Sequence, residues 1–314
     1  MTSMAGTLVA AVNKMTQWRA HMRAKSTTVN GYTFHYYEGG DGEPLVLLHG
    51  LADNRTSFLR SAAALTRRYR IILPDLPGHG ANAADPGLDY SISGHVQALH
   101  GFLQHLGLEE FHLGGNSMGG HISAAYAIAH SGRVRSLILV NAPGLQVDDH
   151  LVYVGFGDRM KTAEDLDAVL ARVYYRTPRL PTPVVRHLIE ESDRAFEHTN
   201  AMVHAIRTGG DYYLNARVSE IRKPTLILWG RHDVVVRSNV AGAYKDAIRD
   251  SRLVFLEEGA HSPQLEIPGA VADAVTTFLD EVNSPAGRGF ADDGLRGDPA
   301  AAAPPRRPQK RTLT

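Results

Sequence analysis

Apolar residues in this chain gather in short unbroken runs: Pro44 to Leu48, Arg70 to Pro74, Phe111 to Gly114, Val134 to Val140, Thr225 to Trp229 and Leu253 to Leu256. Runs of that length without polar alternation predict strands buried on both faces. Between most of them the spacing changes to three and four, as in Val96, Leu99, Phe102, Leu103 and Leu106, with Ser91 or Ser93 available as the N-cap. Strand alternating with helix predicts an α/β fold, with a mostly parallel central sheet flanked by helices. An antiparallel hairpin opens it, Thr27 to Val29 and Tyr32 to Tyr37 joined by the tight-turn pair Asn30-Gly31.

One interval breaks the alternation. From about Gly144 to Lys223, Leu166, Val169, Leu170, Val173 and Tyr174 mark one helix, Val184, Val185, Leu188 and Ile189 a second, and Met202, Val203 and Ile206 a third. Three helices exceed a single crossover, so residues 144–223 are expected to form a helical cap inserted into a core made of residues 26–143 and 224–282. Residues 1–25 are expected to form an amphipathic helix or arm, with Leu8, Val9, Val12, Met15 and Trp18 on one face. The tail, residues 283–314, is rich in Pro, Gly, Ala and Arg, lacks periodicity and is expected to be disordered.

Composition narrows the chemistry. Across 314 residues, 33 basic side chains balance 33 acidic ones, which gives no global attraction to nucleic acid. The absence of cysteine excludes disulfides, thiolate nucleophiles and Cys-ligated metals. The 16 histidines include no HExxH or comparable pair, so neither a metal nor another cofactor is expected. No stretch approaches the roughly 18 to 20 apolar residues of a membrane span. The early apolar run precedes its cations Lys14, Arg19, Arg23 and Lys25, the reverse of a signal peptide, which predicts a cytoplasmic protein. Those cations and the absence of any acid among the first 25 residues permit peripheral membrane contact through the N-terminal helix; packing of that helix on the body is the other reading.

Candidate chemistry sits at the ends of the apolar runs. Gly115-Asn116-Ser117-Met118-Gly119 lies between the strand ending at Gly114 and the helical run His121 to Ala129, so Ser117 should stand at a sharp strand-to-helix turn, with the flanking glycines supplying room and backbone freedom. After Leu45 to Leu48, the pair His49-Gly50 turns the backbone so that Leu51 N–H can face the nucleophile; with Met118 N–H it would form an oxyanion hole. A serine hydroxyl needs an imidazole to take its proton and a carboxylate to orient that imidazole. Asp233 follows Trp229-Gly230, and His261 follows the run Leu253 to Leu256. In open α/β sheets such groups converge at the carboxyl ends of the strands. Asp148 and Asp149 compete as the acid, although Asn141 stands directly at the preceding strand end; His232 and His121 compete as the base, while His49 and His79 are assigned to loop support.

Together with Asp75-Leu76-Pro77-Gly78-His79-Gly80, these motifs resemble the α/β-hydrolase superfamily from about Thr27 to Val282, with its Ser, Asp, His order. Ser91-Ile92-Ser93-Gly94-His95-Val96 and Asn141-Ala142-Pro143-Gly144-Leu145-Gln146 look like lipases and monoacylglycerol-lipase-like esterases. The resemblance implies a serine hydrolase that cleaves medium-chain acyl esters or monoacylglycerols, small lipid substrates, through an acyl-enzyme with catalytic Ser117, Asp233 and His261. Gly-Asn-Ser-Met-Gly-Gly also occurs in hydrolases that split a carbon–carbon bond in ring-cleavage products. Those usually carry a more glycine-rich oxyanion loop and a tryptophan after the catalytic histidine, where this chain has Leu51-Ala52-Asp53 and Ser262. A third reading is a ligand-binding or receptor-like relative.

Overall fold

A computed structural model of the chain describes residues 4–82, 84–85, 87–148, 159–210 and 212–284. The predicted disordered tail therefore lies outside the described residues, except for its first two. Helix α1 (Met4–Arg19) leads into the hairpin β1 (Met22–Val29) and β2 (Tyr32–Gly39). Asn30 and Gly31 take φ of 52° and 83°, the left-handed pair that a two-residue hairpin turn demands. Strand β1 begins five residues before the predicted Thr27, inside the segment assigned to the N-terminal arm. Its polar residues Arg23, Lys25 and Ser26 gave no apolar signal, because β1 is an edge strand exposed along most of its length.

The chain continues through β3 (Glu43–Leu48), α2 (Leu59–Leu65), β4 (Tyr69–Pro74), α3 (Ile92–His105), β5 (Phe111–Asn116), α4 (Met118–Ala129) and β6 (Val134–Val140). After an insertion carrying α5 (Ala163–Val173) and α6 (Thr182–Thr208) come β7 (Thr225–Gly230), α7 (Ser238–Ala247), β8 (Ser251–Leu256), the short α8 (Pro263–Glu266) and α9 (Pro268–Asn283). The strands form one 8-stranded sheet in the order β1-β2-β4-β3-β5-β6-β7-β8. Only the β1–β2 and β2–β4 pairings are antiparallel.

The unbroken apolar runs follow from this layering. Val46, Leu48, Ile72, Leu137, Leu139, Ile227 and Trp229 join a core with Leu99 and Phe102 of α3, Ile122 of α4 and Tyr244 of α7. Their alternate neighbours Leu45, Leu47, Ile71, Leu73, Ile138, Val140, Leu226 and Leu228 join a second core with Leu59 of α2 and Val275 and Phe278 of α9. Successive side chains point to opposite faces, and both faces are covered, so every position must be apolar. Ser91 caps α3 by accepting from Gly94 N–H at 3.1 Å.

The insertion departs from its expected form. The second and third predicted helices are one helix, α6, of 27 residues. The interval Glu190 to Ala201 contains neither Gly nor Pro, so nothing stops the helix between its two apolar clusters. Met202, Val203 and Ile206 at its C-terminal end are buried in the core, whereas Val184, Val185, Leu188 and Ile189 are half-buried. Contacts along α5 and α6 tie the insertion to loops at the carboxyl edge of the sheet. His198 of α6 meets the Gly78 carbonyl oxygen at 3.0 Å, and His261 N–H donates to the Val173 carbonyl at the end of α5 at 3.0 Å. Asp149 and the rest of residues 149–158 lie outside the described residues.

Candidate active site

Ser117 occupies the turn between β5 and α4 with φ 53° and ψ −122°, in the region L-residues avoid. Holding it there costs about 1–3 kcal/mol of backbone strain. Neither Gly115 nor Gly119 has positive φ. The expected backbone freedom is thus taken up by the serine itself, and the glycines supply space alone. A methyl group on Gly119 would stand 2.4 Å from the Leu48 carbonyl oxygen, and one on Gly115 would stand 2.5 Å from the Gly119 carbonyl carbon. The first turn of α4 thereby crosses directly over the ends of β3 and β5.

That crossing brings the β3 loop to the serine. A Cβ on Gly50 would lie 3.3 Å from Ser117 Cβ, so the backbone leading into Leu51 runs beside the nucleophile candidate. His49 fastens this loop: its Nε2 accepts from Leu76 N–H at 2.9 Å and its Nδ1 meets the Gly50 carbonyl oxygen at 2.7 Å. With Nε2 accepting, the ring proton sits on Nδ1. Met118, directly after the serine, opens α4, whose N-terminal dipole favours negative charge there.

Asp233, in the loop after β7, has a side chain with no exposed surface. Its Oδ1 accepts from Val235 N–H at 2.8 Å and Val236 N–H at 3.0 Å. Its Oδ2 accepts from Asn141 Nδ2 at 2.6 Å and meets His261 Nδ1 at 2.9 Å. The carboxylate therefore fixes the His261 proton on Nδ1 and leaves the Nε2 lone pair as the ring's basic position. The loop's shape is supported by Trp229, whose indole Nε1 donates to the Val236 carbonyl at 3.2 Å.

Three supporting side chains were not singled out by sequence reasoning. Asn141, at the end of β6 with φ 48°, donates to Asp233 and accepts from Gly230 N–H at 3.3 Å. Asn116 Nδ2 donates to the His261 carbonyl at 2.8 Å, tying the elbow to the histidine loop. Gln264 Nε2 donates to Asn116 Oδ1 and Ser57 Oγ, both at 3.1 Å. The one available signal was position: Asn116 lies inside the pentapeptide, and Asn141 stands directly at a strand end.

The competing groups sit elsewhere. Asp148 pairs with Arg237 and accepts from Asn239, both on the α7 side. His232 stacks on Tyr175 at 4.0 Å. His121 is fully buried one turn into α4, where burial pushes its pKa down to about 3. His95, equally buried in α3, is pushed down to about 4, by burial first and His49 second. Among the described residues no group of three or more His, Cys, Asp or Glu could hold a metal ion.

Residues 43–268 match the family model described as alpha/beta hydrolase fold. The chain belongs to this family. Lipase 1 of Psychrobacter immobilis is 30% identical over 270 residues, covering 83% of this chain and 85% of that protein. Monoacylglycerol lipase abhd6-A of Xenopus laevis is 27% identical over 282 residues, 84% of each. Among solved structures, a bacterial membrane phospholipase A superposes with a TM-score of 0.83 at 29% identity, over 89% of this chain and 93% of that one. A meta-cleavage product hydrolase of Pseudomonas fluorescens shares the fold, with a TM-score of 0.73 at 24% identity over 82% and 98%. This alpha/beta hydrolase is accordingly a hydrolytic enzyme.

Two measurements follow from the packing. A Cβ at Gly230 would meet the Ala260 carbonyl oxygen at 2.0 Å, backbone against side chain with nothing flexible to yield. Gly230→Ala should lower stability by about 1–3 kcal/mol in urea denaturation and depress ester turnover, because it forces apart the loops carrying Asp233 and His261. The depressed pKa values of His95 and His121 mean that between about pH 6.5 and 5 the unfolded chain binds protons the folded chain refuses. Stability is therefore highest above about pH 6.5 and falls as the pH drops, by about 2 kcal/mol per histidine at pH 5. A urea midpoint unchanged between pH 7 and pH 5 would contradict this.

Proposed function

We propose that this protein hydrolyses carboxylic esters through an acyl-enzyme on Ser117, with medium-chain acyl esters or monoacylglycerols as substrates. The observation that carries the reading is the His261 ring, oriented through Nδ1 by a buried, fully partnered Asp233, at the same sheet edge as a serine held in a strained turn. His261 Nε2 takes the hydroxyl proton as Ser117 Oγ attacks the ester carbonyl. The Leu51 and Met118 amides stabilise the oxyanion, and Asp233 stabilises the imidazolium. His261 then protonates the departing alcohol, and water, deprotonated by the same ring, releases the acid. Helices α5 and α6 form the cap, and the half-buried apolar residues on them, such as Leu170, Val173, Val185 and Leu188, favour an acyl chain over a charged substrate.

The names of the relatives support esters over ring-cleavage dienoates: the lipases match at up to 30% identity, and Leu51-Ala52-Asp53 with Ser262 depart from the carbon–carbon hydrolase pattern. Ser117→Ala should lower hydrolysis of p-nitrophenyl octanoate at least about 10³-fold with thermal stability retained, and Asp233→Asn about 10⁴-fold. A fluorophosphonate probe should label the wild type at Ser117. Retained turnover in Ser117→Ala would remove the nucleophile assignment, and faster cleavage of a ring-cleavage dienoate than of any ester would favour the other branch.

We also propose that the enzyme docks on an anionic lipid surface through α1. The helix packs its small and polar positions, Ala5, Asn13, Thr16, Gln17, toward the body and leaves Leu8, Val12, Met15 and Trp18 exposed, Trp18 at 75%. Such an outward apolar stripe is unfavourable in water and suits a bilayer interface. Lys14, Arg19 and Arg23 supply the complementary charge, while Lys25 is ion-paired with Glu38, the first acid in the chain. α1 packs on α6, which would seat the lipid surface beside the cap. Among the described residues no helix is long and apolar enough to cross a membrane. The wild type should sediment with vesicles of phosphatidylcholine and phosphatidylglycerol, and a variant with serine at positions 8, 12, 15 and 18 should stay in solution. Equal sedimentation of the two would refute the docking.

A further inference from the structure

One carboxylate outside the catalytic group bridges two parts of the molecule that the mechanism needs in register. Glu266 closes α8, five residues beyond His261. Its Oε1 accepts from Ala260 N–H at 2.8 Å, the residue directly before His261. Its Oε2 accepts from Tyr175 N–H at 2.7 Å, two residues past the end of α5. The Arg176 N–H also bonds to this carboxylate. The same stretch makes two more contacts at this edge, through the Val173 carbonyl on His261 N–H and through the Tyr175 ring on His232, in the loop that carries Asp233.

The backbone of His261 is consequently gripped from both sides. Its N–H is held by the insertion at Val173, and its carbonyl by Asn116 of the elbow at 2.8 Å. Glu266 completes the grip, since an ionised carboxylate can accept at both oxygens while presenting no donor to either N–H. The group is half-buried beside a second carboxylate, and burial followed by the Asp233 charge raises its pKa against the opposing pull of the three backbone donors. A carboxylate kept there against those two costs has its stabilisation almost wholly in the two loops it joins.

We propose that Glu266 is a positioning residue that couples the segment after α5 to the backbone of His261, so that the inserted helices and the general base move as one unit. The coupling rests on the assignment of His261 as the base. It makes closure of the insertion over an acyl chain and correct placement of the imidazole a single event, an arrangement in which binding energy from the remote part of a substrate reaches the reacting centre.

Glu266→Gln keeps the shape but replaces one acceptor with an NH₂ that confronts a backbone N–H. It should lower kcat about tenfold for p-nitrophenyl acetate and p-nitrophenyl octanoate alike, the size of one lost charged hydrogen bond. KM should rise for the octanoate alone, because only the long acyl chain reaches the inserted helices. Tyr175→Pro deletes the N–H that Oε2 accepts, its effect read relative to Tyr175→Ala, which removes only the ring stacked on His232; Tyr174, at φ −115° and ψ 138°, already has the extended backbone required before proline. It should reproduce the same split with the Ala260 contact intact. Unchanged kcat in either folded variant, or a loss without the difference in KM, would overturn the coupling. If Ser117→Ala is inactive while Glu266→Gln turns over normally, only the coupling fails and the nucleophile assignment stands.

Discussion

The structure at this sheet edge depends on supplying partners to a carboxylate where no water reaches it. An unpaired buried carboxylate costs several kcal/mol, so the surroundings of Asp233 must supply donors. They come from three places: the Val235 and Val236 amides of its own loop, the Asn141 side chain at the end of β6, and the imidazole of the loop after β8. Satisfying one charge therefore positions three loops. The tautomer of His261, and with it the direction in which its basic nitrogen is offered, follows from that same arrangement.

The sheet makes such convergence inexpensive. Parallel strands all end on one edge, and because helices cover both faces, the loops at that edge rest on cores that do not yield. The strained φ of Ser117 persists for this reason: Ser117 N–H donates to the Val140 carbonyl at 2.9 Å, and the glycines around it allow α4 to press onto β3. Strain localised in that turn is sustained by packing elsewhere.

The N-terminal helix and the first half of α6 stand apart from this rigid frame. α6 reaches the core only through its C-terminal turns, and its other half contributes a partly open apolar face. α1 departs from the usual rule for a surface helix, with Asn13, Thr16 and Gln17 half-buried and Leu8, Val12, Met15 and Trp18 exposed, although Val9 of the predicted face is half-buried. Its sequence periodicity identified the face but not the side on which that face would lie. A hydrophobic stripe has the same period whether it meets a protein or a lipid.

Local pattern was sufficient for the elements that bury apolar surface and for the position of Ser117, Asp233 and His261 beyond strand ends. It failed where polar residues occupy edge strand β1, and where a stop between Ile189 and Met202 was inferred from a gap in apolar spacing although no Gly or Pro was there to end α6. It placed Asn116 and Asn141 without giving them a role and was silent on Gln264 and Glu266; the partners of all four lie far off in sequence or have no period. The sequence by itself determined which residues stand at the strand ends and in what chain order, because strand burial and turn geometry are written in neighbouring residues. Tertiary structure alone decided how those residues are held, because hydrogen bonds such as Asn141 to Asp233 and Glu266 to Tyr175 exist only once the fold has brought distant backbone and side chains together.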